Sequence, residues 1–179
     1  SGQGGGLYLH EATLKIVNAT FAGNEGKALH LMGTTALIVN SLFFDNGETA
    51  ALDGASATFL HCITEEEREG PGTFAADPLL EPLADGGGKT WTHGLHRDSP
   101  AIDSAIEGGP LLSGDITIPR QDQRGIVRPQ GQGFDRGAFE AVPEPEEPPP
   151  PPPSPPPEER APSPPLSPRP LSPQDGAAG

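Results

Sequence analysis

Carboxylates are the commonest groups in this chain with chemical potential, and their neighbours suggest what they do. Asp77, Asp85, Asp98, Asp103, Asp122 and Asp135 mostly stand beside Gly, Pro or Ser. In such settings a short carboxylate accepts backbone N–H bonds and holds a turn. Turn-holding is the expected role. Calcium binding by a subset is the alternative, because oxygen ligands are plentiful, but no EF-hand loop or nonapeptide repeat orders them. Arg124 and Arg128 are expected to pair with Asp103 or Asp122 as forked structural ion pairs. His93 and His96 would clamp a metal only with a third ligand, and no Cys or His stands near enough in sequence to supply it. His10, His30 and His61 are spaced 20 and 31 apart, which keeps no common row. Cys62 is the only cysteine, so it forms no intrachain disulfide and reads as a small buried residue rather than a nucleophile. No residue is assigned a catalytic, cofactor-binding or metal-binding role, and no cofactor is expected beyond the calcium option.

The elements that must position these side chains come from a repeat of 22 residues. Ile16-Val17-Asn18 returns as Ile38-Val39-Asn40, Phe21 as Phe43 and Asn24 as Asn46. A weaker third copy is Leu60-His61-Cys62 at the same offset. A repeat of this length signals units that bury their apolar faces only by stacking on each other. Its segments alternate as strands do and are punctuated by Gly and Asn. The apolar spacing of a helix is absent. The expectation is an all-β right-handed parallel β-helix of about three coils over residues 1–67, with an irregular β-rich cap over 68–140. Ile16, Ile38 and Leu60 are expected to stack inside, with Asn18, Asn40 and Cys62 at the corner beside them. That placement buries Asn18 and disfavours its use in the Asn18-Ala19-Thr20 glycosylation sequon. Two outward rows, Lys15-Leu37-Phe59 and Val17-Val39-His61, become apolar toward the last coil. An exposed apolar patch marks a contact surface, so the segment after Glu67 is expected to fold back over it.

Charge narrows the partners. Residues 1–140 hold 19 acidic and 9 basic residues, and no basic cluster is present to neutralise nucleic-acid phosphates or anionic membranes. No run of 18 apolar residues would span a bilayer. The start, Ser1-Gly2-Gln3-Gly4-Gly5-Gly6, resembles the middle of a coil, so the chain is expected to be the C-terminal piece of a longer protein. Of its 24 prolines, 17 lie beyond Ala141. Residues 141–179 are expected to be a disordered, polyproline-like spacer. Pro165-Leu166-Ser167-Pro168-Arg169 fits a PxxP pattern there, and Ser154, Ser163, Ser167 and Ser172 precede prolines.

The region from Asp77 to Glu140 carries six ordered strings. They are Asp77-Pro78-Leu79-Leu80, Leu83-Ala84-Asp85-Gly86-Gly87-Gly88, Thr90-Trp91-Thr92-His93, Ser99-Pro100-Ala101-Ile102-Asp103, Asp122-Gln123-Arg124-Gly125 with Arg128-Pro129, and Asp135-Arg136-Gly137-Ala138-Phe139-Glu140. In this order they resemble the C-terminal module of the choice-of-anchor Q family of bacterial surface β-helix proteins. Two departures stand out: Gly86 replaces an Asn, and Arg136 replaces an apolar Ile, so the last segment is expected to pack less well. The resemblance implies export and display without enzymatic activity of the module. The expected function is therefore a non-catalytic, extracellular or cell-surface β-helix serving adhesion or structural display, its partner a wall component, another surface component or a glycan. The alternative is a fragment of a polysaccharide lyase or hydrolase whose active site lies on preceding coils. Such sites gather Asp, Arg or Lys along one groove, whereas Glu11, Lys15, Glu25 and Lys27 are scattered.

Overall fold

Alternating apolar residues, broken at short intervals by residues suited to tight corners, fold into three parallel sheets in a computed structural model that describes residues 5–107 and 116–143. The first pass of the chain supplies β1 (Leu7–His10), β2 (Thr13–Val17) and β3 (Thr20–Ala22). The second supplies β4 (Lys27–Met32), β5 (Thr35–Val39) and β6 (Leu42–Phe44), and the third β7 (Glu48–Asp53), β8 (Ser56–Leu60) and β9 (Ile63–Thr64). The sheets run β1-β4-β7, β2-β5-β8 and β3-β6-β9-β10, the last closed by β10 (Phe74–Ala75). Every pairing within them is parallel. The described residues contain no helix, so the fold is all-β.

Corners explain the spacing. Asn18, Asn40 and His61 stand at one corner with φ of 50°, 51° and 51°. Glu11, Gly33 and Gly54 form a second, with φ of 50°, 52° and 62°. Left-handed backbone costs an ordinary L-residue roughly 1–2 kcal/mol, and Gly, Asn and Asp tolerate it best. Repeating it at the same point in each pass turns the strands sharply and keeps the sheets in line.

The second and third passes are related by 21 residues, not 22. Ile16 pairs with Ile38, but Ile38 pairs with Phe59 and Val39 with Leu60. The lost residue is in a turn: Asn24-Glu25-Gly26-Lys27 becomes Asn46-Gly47-Glu48, since Lys27 pairs with Glu48 while Asn24 still bonds to Asn46 at 2.7 Å. A one-residue slip moves every side chain to the other face. This corrects the expected rows. Phe59, not Leu60, joins Ile16 and Ile38 in the core, beside Leu29, Leu31 and Phe43. Leu60 points outward, His61 takes the Asn corner, and Cys62 follows it as Ser41 follows Asn40.

A fourth pass is cut short. Phe74 pairs with Ile63 only 11 residues on, and residues 65–72 cross the end of the stack. Glu65 accepts N–H bonds from Asp45 and Asn46 at 2.8 and 3.0 Å. Thr49 donates to Glu66 at 2.8 Å. Arg68 donates to the Ala50 carbonyl and lies 5.2 Å from the centre of the Phe59 ring. This end is sealed.

The remaining described residues cover two of the three sheets. Val39 and Leu60, with Val17 and Leu37 partly buried, pack against Ala105, Ile106, Ile116, Ile118 and Phe134. Leu42 and Ile63 pack against Leu95, Ala101, Ile102 and Phe139. The apolar outer face is thus covered by chain beyond Glu67, as its composition demands, although Phe59 owes its burial to the inner core. The covering segment contains an antiparallel hairpin of β11 (Leu80–Ala84) and β12 (Thr92–Leu95), and is otherwise held by side chains and by backbone bonds between irregular turns, such as Gln123 N–H to the Ala138 carbonyl and Arg136 N–H to the Ala101 carbonyl. The prolines and Ser-Pro pairs from residue 144 onward lie outside the described residues.

Candidate functional site

Most of the chemically capable side chains are committed to holding the cover in place. Asp77 accepts the Leu79 N–H at 2.7 Å, Asp85 that of Gly87 at 2.9 Å, and Asp103 that of Gly133 at 2.8 Å. Asp122 accepts N–H bonds from Arg124, Ile126 and Glu140 and pairs with the Arg124 guanidinium at 2.7 Å. Burial alone would raise its pKa, but the Arg124 bond and these backbone donors outweigh that and hold it below the usual aspartate value. Asp98 faces His96 at 3.7 Å. Asp77, Asp85 and Asp122 therefore hold their own turns, while Asp103 and Asp135 accept N–H groups 30 and 32 residues away and tie separate segments together.

Arg128 departs from expectation. Its partner is Glu140 at 2.6 Å, and neither Asp103 nor Asp122 pairs with it. It also donates to the Asp135 and Gly137 carbonyls at 2.9 and 2.8 Å. Glu140 accepts N–H bonds from Gln130 and Asp135. Asp135 sits beside this pair, accepting the N–H groups of Asp103 and Ala141. Burial, reinforced by the nearby charges of Glu140 and Asp103, raises its pKa from 3.8 to about 6 against the pull of those two bonds.

Arg136 also departs from expectation. It is 5 % exposed and donates to the carbonyls of Ser104, Cys62 and Gly72 at 3.0, 3.2 and 2.9 Å. Its guanidinium lies 4.9 Å from the centre of the Phe74 ring. An Ile could pack there but could not satisfy these carbonyls. Arg136 therefore ties the cover to the last passes rather than loosening it.

The asparagine corner does similar work. Asn40 donates to the Ile106 carbonyl at 2.8 Å and accepts the Ile106 N–H at 3.0 Å. Asn18 donates to the Asp135 carbonyl at 3.0 Å, and a weak 3.4 Å bond joins the two amides. The pair is partly a ladder and mainly a set of ties to the cover. Asn18 is buried in that role, which leaves the sequon no room for a glycan. Cys62 is fully buried, and burial pushes its thiol up to about 11, so it is an unreactive packing group.

Two of the surfaces formed by the described residues stand out for recognition. The first is a cleft of about 760 Å³ in the cover, with Leu95, Ile102 and Phe139 among its apolar walls and Glu81, His96 and Arg97 among its polar ones. Arg124 also borders it, but lies 3.5 Å from the centre of the Phe139 ring and is held by Asp122. The second is the outer face of β1-β4-β7, against which the two buried clusters of the cover do not pack. There the His30 Nε2 lies 2.7 Å from an Asp53 carboxylate oxygen, and the Tyr8 ring meets His30 edge-on at 5.2 Å. The Tyr8 hydroxyl donates to the Met32 sulfur at 3.1 Å. His30 Nδ1 is buried without a hydrogen-bond partner, so neither ring nitrogen is open to a substrate.

His30 and Asp53 escaped the sequence reading because they are 23 residues apart. That is one shortened pass plus one alternation along the strand, visible only once the 21-residue register is known. His93 and His96 do not cooperate: His93 bonds to the Glu81 carbonyl and His96 faces Asp98. Among the described residues no three His, Cys, Asp or Glu side chains are grouped to hold a metal ion. Among the described residues there is no helix long and apolar enough to cross a membrane. The fold and site define a class no finer than an all-β protein of stacked parallel strands with a side-chain-bonded cover. Comparison with protein-family models, curated proteins and solved structures gave no match.

Proposed function

We propose that this chain is a right-handed parallel β-helix with a C-terminal cap, exported to the cell surface, where it serves adhesion or structural display without catalysis. The handedness follows the strong general bias of parallel strand crossovers, about 98 % right-handed. The resemblance to the choice-of-anchor Q module supports surface display. One observation carries the non-catalytic reading: the carboxylates and guanidiniums with catalytic potential are largely consumed in the Asp122–Arg124 and Arg128–Glu140 pairs and in backbone bonds. What stays accessible is an apolar-floored cleft and an aromatic, hydrogen-bonding sheet face. Both suit the apolar faces and hydroxyls of a glycan.

A glycan array probed with the full chain, paired with a polysaccharide-cleavage assay on every glycan bound, tests this reading. The expected result is binding without new chain ends, weakened by Arg97→Ala or Tyr8→Ala according to which surface is used. Release of new reducing ends or unsaturated products would show an enzyme instead.

A further inference from the structure

The two ends of the strand stack are not equivalent. At the far end, residues 65–72 lie across the core, with Glu65, Glu66 and Arg68 bonded to the third pass. At the near end β1, β2 and β3 are edge strands in all three sheets, and no described segment crosses them; at the far end β7 and β8 are edge strands too, but residues 65–72 lie over them. Their inward side chains are also less covered than the equivalents one pass on. Leu7, Leu9 and Phe21 are only partly buried, while Leu29, Leu31 and Phe43 have no exposure at all. Three aligned parallel edges above a half-covered apolar floor form a template for a further set of strands.

The bonding between the first two passes shows what such an occupant must carry. Asn46 reaches back to the Asn24 side chain and to the Phe21 carbonyl at 2.7 and 3.0 Å. Phe21 and Phe43 stack at 5.1 Å with their planes 4° apart. Ser41 reaches the Ala19 N–H at 3.2 Å. Each of these rows ends at the first pass among the described residues.

We propose that the β1-β2-β3 edge is a docking surface for one further pass of this same repeat, in parallel register, with an aromatic over Phe21 and Leu, Ile or Val over Leu7, Leu9 and Ile16. A second copy of this chain cannot meet the requirement in the same register. Parallel stacking would bring its far end to this edge, and that end is closed by residues 65–72. A further pass is therefore accommodated at the β1-β2-β3 edge, which no described segment crosses. This inference stands on the strand register and is independent of the adhesive reading, because its test measures backbone protection and not ligand binding.

The test is amide hydrogen exchange on the full chain and on a fusion carrying a second copy of residues 5–26 placed directly before Gly5. The added pass is expected to slow exchange about tenfold or more in 7–10, 13–17 and 20–22, as local opening becomes costlier. A fusion carrying residues 27–47 instead guards against poor folding of the first. A control of equal length with the Leu, Ile and Phe positions replaced by Ser should give no protection. Unchanged exchange in both fusions, or failure of both to fold cooperatively, overturns the proposal. So does a full-length chain that is already dimeric with these edges protected, which would make a second copy the occupant.

Discussion

Arg128 and Glu140 lie 2.6 Å apart with side chains 1 % and 0 % exposed. Few arrangements are as sensitive to the loss of one partner. Removing either charge strands the other away from water, which costs about 3–5 kcal/mol, whereas replacing both with apolar groups is often neutral or better. Arg128→Met and Glu140→Leu alone are each expected to lower the unfolding free energy by about that much. The double variant should recover a large part. Urea denaturation of the four proteins measures the cycle, and additive losses would show that the two residues do not act as a pair.

Asp135 predicts an unusual pH dependence. Its folded pKa is raised from 3.8 to about 6, so between these values the folded state holds a proton that the unfolded state has released. Stability from this group is fully present below 3.8 and is lost as pH rises through about 6. Glu66 and Asp122 act oppositely. Burial would raise the Glu66 pKa, but bonds from Thr49 and Arg68 more than offset it, and Asp122 is held down by Arg124 and backbone donors. Their contributions are present above 4.5 and 3.8 and fall away at lower pH. Denaturation midpoints should therefore rise on mild acidification and then collapse in stronger acid. Asp135→Asn should lower stability by breaking backbone bonds while flattening the rise between 3.8 and about 6. An unaltered rise in that variant would assign it to another group.

Phe59 tests the register. It is 3 % exposed, meets Phe43 at 5.9 Å and carries Arg68 on its face. Phe59→Ala should cost about 3–5 kcal/mol through lost transfer energy and a cavity. Trp91, at 64 % exposure, should tolerate the same change within about 0.5 kcal/mol. Thermal or urea unfolding distinguishes these outcomes. A small effect at Phe59 would return it to the outer face, where a strict 22-residue repeat places it.

The repeat was legible because its signals are local. Alternation, corner-forming Asn and Gly, and the recurrence of Ile16-Val17-Asn18 as Ile38-Val39-Asn40 required no knowledge of distant neighbours. The third pass was not legible in the same way. Phe59 and Leu60 are adjacent and both apolar, so either could face the core. The choice depended on a deletion beside Gly47, in a turn whose residues leave no mark on strand periodicity. The roles of Asp77, Asp85 and Asp122 were legible from their turns, because each bonds a backbone group two residues on, whereas Asp103 bonds Gly133, 30 residues away.

Glu140 illustrates the opposite case. Its partners Arg128, Gln130 and Asp135 converge from separate turns, and no spacing rule links them. Arg136 was misjudged because its value lies in carbonyls brought to it by Cys62, Gly72 and Ser104.

By itself, the sequence determined the all-β character, the stacking of strand-forming passes, the Asn corner and the need to cover an apolar outer face. These follow from side-chain alternation and backbone preference, which act over a few residues. Only the tertiary structure decided which sheets are covered, which end of the stack is closed and which charges are spent on structure. Those outcomes depend on burial and hydrogen bonding between residues up to 119 positions apart, as between Asn18 and Gly137, where local pattern has no reach.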